Sequence, residues 1–157
     1  IWGRDSIKAE KVKADLSYLD VNIESDIEKL VTESSLIVTT TSSKDPLIQS
    51  EWVKPGTHIT AVGSDTPEKC ELDPNLLSRA DLLVADSLEQ NLIRGEIHQA
   101  AKQSLIDSEN VVELGEVFSG IKKGRVNQDS ITIADLTGVA VQDLVIAQAV
   151  FKAAKEA

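Results

Sequence analysis

Four short runs constrain this chain more than anything else in it: Leu36-Ile37-Val38-Thr39-Thr40, His58-Ile59-Thr60-Ala61-Val62, Leu82-Leu83-Val84-Ala85 and Ile131-Thr132-Ile133-Ala134. Each is rich in β-branched or apolar residues on both parities, the pattern of a strand covered on two faces. Helical signals lie between them. Parallel neighbours need crossover connections, so strand and helix in alternation predict an α/β fold, a doubly wound parallel sheet with helices on both faces.

The helices are read from caps and spacing. Ser6 can cap a helix over roughly residues 6 to 19, with Val12, Leu16 and Leu19 on one face. A short strand at Val21-Asn22-Ile23 follows, then a capping box of Ser25 and Glu28, with Ile27, Leu30 and Val31 turned inward. A helical piece around Trp52, the Pro55-Gly56 turn and a helix opening at Pro74 come next. Ser87 and Gln90 form a second capping-box pair, heading a helix to about Gln103, and a long helix runs from Gly138 to near Ala157.

With 157 residues, 41% of them hydrophobic, the chain can bury the core of one domain. Its apolar runs are far shorter than the roughly 20 residues a membrane span needs, and no secretory leader opens it, so a cytoplasmic protein without membrane contact is expected. A net charge of −10 and 3% aromatic residues argue against a nucleic-acid partner, through phosphate repulsion and lack of stacking platforms. A single cysteine, Cys70, and two histidines, His58 and His98, offer no metal-site spacing, and no metal is expected.

Ligands of open parallel sheets bind beyond the carboxyl ends of the strands. The loops that matter are therefore Gly3-Arg4-Asp5, Thr41 to Asp45, Gly63 to Cys70, Asp86-Ser87 and Asp135 to Gly138. Gly115, Gly120 and Gly124 are spaced wrongly for a G-x-G-x-x-G or Walker loop. Trp2-Gly3-Arg4 reads instead as the end of a second strand, so the chain is expected to begin inside a dinucleotide-binding domain, without its first strand and glycine-rich loop. At that strand end Asp5 suits the ribose hydroxyls of NAD and Arg4 the 2′-phosphate of NADP, which tilts the cofactor toward NADP; a solvated surface charge is the other reading of Arg4.

Asp65, on a loop beyond a buried strand, could move a proton or hold a water, or could be an Asx-turn residue. Thr39, Thr40, Thr41 and Ser42 offer hydroxyls to a ribose or a nicotinamide amide, though threonine is also an ordinary strand residue. Thr137 and Gly138 precede the last helix, whose free N–H groups could face a carboxamide or simply be capped.

Lys54-Pro55-Gly56-Thr57-His58-Ile59-Thr60-Ala61-Val62-Gly63-Ser64-Asp65-Thr66-Pro67-Glu68-Lys69-Cys70-Glu71-Leu72-Asp73 resembles the signature segment of the ornithine cyclodeaminase and mu-crystallin family. Trp2-Gly3-Arg4, Val38 to Pro46, Leu114-Gly115-Glu116-Val117 and Asp135 to Asp143 agree in order and spacing. The resemblance implies a Rossmann-like domain over residues 1–157, truncated at its N-terminus, whose last helix leads toward an absent substrate and dimerisation domain. It implies a catalytic role for Asp65, cofactor contacts for Val62, Gly63, Thr137 and Gly138, and a nicotinamide-side loop at Thr39 to Ser42.

The activity implied is hydride transfer at the α-carbon of a small amino or imino acid, by a parent protein expected to be a homodimer. The leading form is cyclodeamination of ornithine to proline with release of ammonia. The alternatives are an NADPH-dependent cyclic ketimine reductase or amino-acid dehydrogenase, and a mu-crystallin-like binding protein without catalysis. Mu-crystallins do not usually keep the aspartate matched by Asp65, which favours the enzymes. One departure stands out: where the family commonly has Pro-Gly-Lys, this chain has Pro67-Glu68-Lys69. The fragment by itself is expected to show no turnover.

Overall fold

The computed structural model describes residues 1–156. Its centre is a five-stranded sheet built from β1 (Leu36–Thr39), β2 (His58–Ala61), β3 (Leu82–Ala85), β4 (Val112–Glu113) and β5 (Thr132–Asp135). The strand order is β1-β2-β5-β3-β4 and every pairing is parallel. β5 lies between two neighbours, and all four of its residues are buried. The α/β class and the parallel sheet expected from the four runs are both present.

Register divides the strands into two faces, because cross-strand partners point the same way. Ile37, Ile59, Ile133 and Leu83 share one face, and are packed there with Val31, Leu72, Leu76, Leu77, Ile97 and Ala100. These residues come from α2 (Ile27–Thr32), α3 (Pro74–Ser78) and α5 (Glu96–Lys102) and the segment before α3. Each fully buried aliphatic side chain of this kind contributes about 1.5–3 kcal/mol. On the other face, α6 (Leu114–Phe118) and the segment after it close a groove over His58, Thr60, Val84 and Thr132. Leu36 and Val38 of that face are 64% and 59% exposed, so among the described residues β1 is covered on one side only, not two as its composition predicts.

The caps correct several helix boundaries. α1 (Ser6–Asp15) is capped by Asp5, not Ser6: its Oδ1 accepts from the N–H groups of Ile7 (3.0 Å) and Lys8 (3.2 Å). The helix ends four residues before the expected Leu19, and Val12 and Leu19 are exposed while Ala9 is its buried residue. Asp26, rather than Ser25, caps α2 through the N–H groups of Glu28 and Lys29. Val21-Asn22-Ile23 forms no strand; Ile1 donates to Asn22 O and accepts from the N–H of Glu24, which follows that segment. The piece around Trp52 is a single 3₁₀ turn, Ser50–Trp52.

The helix expected from Ser87 to Gln103 is two helices, α4 (Leu88–Asn91) and α5, separated at Gly95. Gly95 has φ +93°, and a Cβ there would lie 2.6 Å from Asp135 Oδ2. That carboxylate accepts the Ile97 N–H at 2.8 Å, so a buried partner from β5 starts α5 and breaks the longer run. Ser87 precedes α4 without capping it through its side chain. α7 spans Ala140–Glu156, starting two residues after Gly138; the expected end at Ala157 lies outside the described residues. Among the described residues no helix is long and apolar enough to cross a membrane.

Candidate active site

The carboxyl ends of β1, β2 and β5 lie side by side, and the loops that leave them carry most of the residues singled out from the sequence. The parallel ladder runs one residue beyond the strands: Val62 N–H donates to Thr39 O (2.9 Å) and Leu136 N–H to Ala61 O (2.8 Å). This brings Thr39 to Ser42, Val62 to Asp65, and Thr137-Gly138 to one end of the sheet. Thr40, Ser42, Val62, Asp65 and Gly138 are exposed there. Thr39 is buried, and its hydroxyl is directed at a carboxylate within the protein.

The opening segment adjoins the same end. Ile1 and Trp2 line a cavity of about 420 Å³ together with Thr39, Thr40 and Thr41, along the outer edge of β1. Gly3, Arg4 and Asp5 are exposed beside it, with Asp5 occupied as the cap of α1.

Four acidic residues tie these loops together. Glu71 is fully buried; its carboxylate accepts from Thr39 Oγ1 (2.7 Å), Gly63 N–H (2.9 Å) and Thr41 N–H. Glu96, also fully buried, accepts from Glu71 N–H (2.7 Å), Leu72 N–H (3.1 Å) and the Ser64 hydroxyl. Asp86 accepts from Gly138 N–H (2.7 Å), Asn91 Nδ2 (2.8 Å) and Thr137 Oγ1 (3.3 Å). Asp135 closes the series at the head of α5. Thr137 and Gly138 are thus held by Asp86, and the Gly138 N–H is not free at a helix end.

Burial dominates the electrostatics below the mouth. It raises the Glu96 carboxyl above the ordinary glutamate value despite the donors that oppose it, and raises Asp135 well above the ordinary aspartate value. The Cys70 thiol is pushed up to about 12, by burial first and then by Glu96 beside it. A thiol held neutral is a poor nucleophile. Native protein at pH 8 is expected to react with a disulfide reagent many times more slowly than unfolded protein; rapid labelling of Cys70 in the native state would contradict this environment.

Asp65 has the opposite character. It is exposed at the rim and paired with Lys69, whose hydrogen bond holds the carboxyl below the ordinary aspartate value. The pair spans four residues, and the Asp65 N–H donates to Gly63 O at 3.1 Å. His58 lies under the sheet's second face, bonded to Thr132 Oγ1 (2.7 Å), away from this mouth.

The sequence model of the ornithine cyclodeaminase/mu-crystallin family matches residues 1–157. The chain belongs to that family. A putative dehydrogenase of Rhizobium meliloti is 44% identical over 161 residues, an alignment that takes in 100% of this chain and 49% of that protein. The iminosuccinate reductase of Paracoccus denitrificans, solved in complex with NAD+, superposes with a TM-score of 0.91 at 38% identity, covering 99% of this chain and 48% of that one. The Delta(1)-pyrroline-2-carboxylate reductase of Thermococcus litoralis, solved with NADH and L-proline, gives 0.94 at 27% identity, covering 99% and 49%. This chain therefore spans about half the length of the relatives it matches. Its solved neighbours include these two reductases with NAD+ or NADH bound and also a lysine cyclodeaminase, and the sheet described above is of the same Rossmann-like kind.

Sequence reasoning marked the loops gathered at this end of the sheet but missed what braces them. Asp86 and Asp135 stood inside loops marked as important, and Glu71 inside the signature segment, all without an assigned role. Glu96 carried no local signal; its partners lie 24 to 32 residues away.

Proposed function

We propose that the full-length protein is an NAD(P)-dependent oxidoreductase that transfers hydride at the α-carbon of a small amino or imino acid, acting foremost as a cyclic imine reductase. The observation that supports this best is the set of exposed groups gathered at the carboxyl ends of β1, β2 and β5, hydroxyls from Thr40 and Ser42 and backbone at Val62 and Gly138, with the Asp65 carboxylate beside them. Thr40, Ser42, Val62 and Gly138 are exposed there and Gly63 adds no side chain, which leaves the surface open to a flat ring and its carboxamide. These are the residues that would hold the nicotinamide end. When bound, the dinucleotide supplies or accepts the hydride.

Asp65 acts on the substrate nitrogen. Its carboxyl, held by Lys69 below the ordinary aspartate value, is ionised at neutral pH, which suits it to pair with a protonated imine nitrogen while hydride arrives at carbon, the neutral amine then taking its proton from solvent, and in the oxidation direction to accept a proton from the amine. Arg4, exposed beside Asp5, is the group for a 2′-phosphate, and the ratio of NADPH to NADH affinity reads its contribution. The apolar residues exposed on α7, among them Val141, Leu144 and Phe151, support its burial in the full protein against a substrate and dimerisation part. That part, the first strand and its glycine-rich loop belong to the other half of the proposed protein.

The test follows nicotinamide absorbance and ammonia in parallel on the full-length polypeptide, with a cyclic imino acid plus NADPH or NADH in one cuvette and ornithine plus NAD+ in another. Steady loss of reduced cofactor without ammonia is expected. Ammonia without net cofactor change would make the protein a cyclodeaminase instead. Asp65→Asn is expected to lower kcat by about 100-fold while leaving dinucleotide affinity near that of the wild type; an unchanged kcat would remove Asp65 from the mechanism.

A further inference from the structure

We propose that Glu71 is a positioning residue for the nicotinamide end of the dinucleotide, a reading that rests on the function proposed above. One carboxylate gathers donors from two separate loops: Thr39 Oγ1 and Thr41 N–H from the end of β1, and Gly63 N–H from the end of β2. These are the loops whose exposed residues, Thr40, Ser42 and Val62, form the rim of the mouth. Glu71 itself touches neither the mouth nor solvent, since it is fully buried. It acts through the loops it joins.

Its own position is fixed from behind. The Glu71 N–H donates to Glu96 Oε1 at 2.7 Å, and its carbonyl accepts from Leu47 N–H (2.7 Å) and Ile48 N–H (3.0 Å), beyond the far end of the Thr41 to Pro46 loop. Both ends of that loop therefore report to one residue. Glycine at position 63 lets the two loops approach closely enough to share the carboxylate, because a Cβ there would fall 2.6 Å from Glu71 Oε1. Three donors converging on two oxygens need an acceptor at both; an amide presents an N–H₂ group where one acceptor was, and would push a loop away. The rim would then lose its spacing while the rest of the fold kept its core.

The adenosine end of a dinucleotide does not depend on this spacing, and that gives a test with internal contrast. Dissociation constants for NADH and for ADP-ribose, which lacks the nicotinamide, are measured on the full-length polypeptide and on its Glu71→Gln and Thr39→Val variants. Glu71→Gln is expected to weaken NADH by about tenfold or more and ADP-ribose by less than about twofold; Thr39→Val, which removes one donor of three, is expected to weaken NADH by about threefold with the same contrast. Equal losses for both ligands would mean a general structural role and overturn the proposal, as would no loss for either. If Glu71→Gln does not fold, the contrast in Thr39→Val decides on the same terms. Wild-type protein that binds ADP-ribose but gains nothing from the nicotinamide overturns the positioning role together with the nicotinamide reading. A wild type that discriminates, beside variants that discriminate equally well, overturns the positioning role alone.

Discussion

Replacing Gly63 with alanine is expected to cost about 3 kcal/mol of stability, the upper part of the range for overpacking a well-filled site. The added Cβ would overlap the carbonyl oxygen of Thr41 and lie 2.6 Å from the Glu71 carboxylate. Backbone cannot swing aside as a flexible side chain does, so the ends of β1 and β2 must separate. Separation breaks the Gly63 and Thr41 bonds to Glu71 and strains the Val62 to Thr39 rung of the ladder. For a domain of this size the midpoint of thermal unfolding should fall by roughly 10 °C. Dinucleotide affinity should fall with it, because the rim is the part displaced. A change in urea midpoint equivalent to less than about 1 kcal/mol would show that the two loops are not packed as described.

The parts of the fold that were legible are those with local causes. The central strands are short, apolar and β-branched because a parallel sheet buries them, and their bounds match within one residue. β4 was missed because two residues carry no pattern. The break at Gly95 was missed because its cause is Asp135, a residue forty positions away in sequence whose carboxylate takes the Ile97 N–H in the first turn of α5. A glycine alone in a helical stretch gives no warning of that.

The candidate site divides the same way. The rule that ligands sit at strand carboxyl ends marked out loops that the sheet does bring to one end, and Asp65 stands exposed among them. The buried acids that hold it together obey no spacing rule, since each bonds to loops that only the folded sheet brings near. Asp5 stands where a strand end was expected, but Ile1 to Arg4 form no strand, and Asp5 caps α1.

Glu96 is where this bracing should be felt most in energy. Glu96→Ala leaves the N–H groups of Glu71 and Leu72 and the hydroxyl of Ser64 facing a cavity with no acceptor. Each unsatisfied buried donor costs about 1–3 kcal/mol and the three are not additive, so a loss on the order of 4 kcal/mol is expected. Glu96→Gln separates packing from charge. Burial raises the folded-state pKa of Glu96, so its contribution to stability is full below the unfolded value near 4.5 and is lost as pH rises through the raised folded value. Asp135 is raised as well and works in the same direction, whereas His58, lowered by burial and then by Arg125, costs stability as pH falls below about 6.5. Comparing variants cancels the groups they share. The urea midpoint of the wild type should therefore decline relative to that of Glu96→Gln as pH is raised from 5 to 8. If the two run parallel, Glu96 does not change its proton over that interval, and the buried acids below the mouth are held by their hydrogen bonds alone.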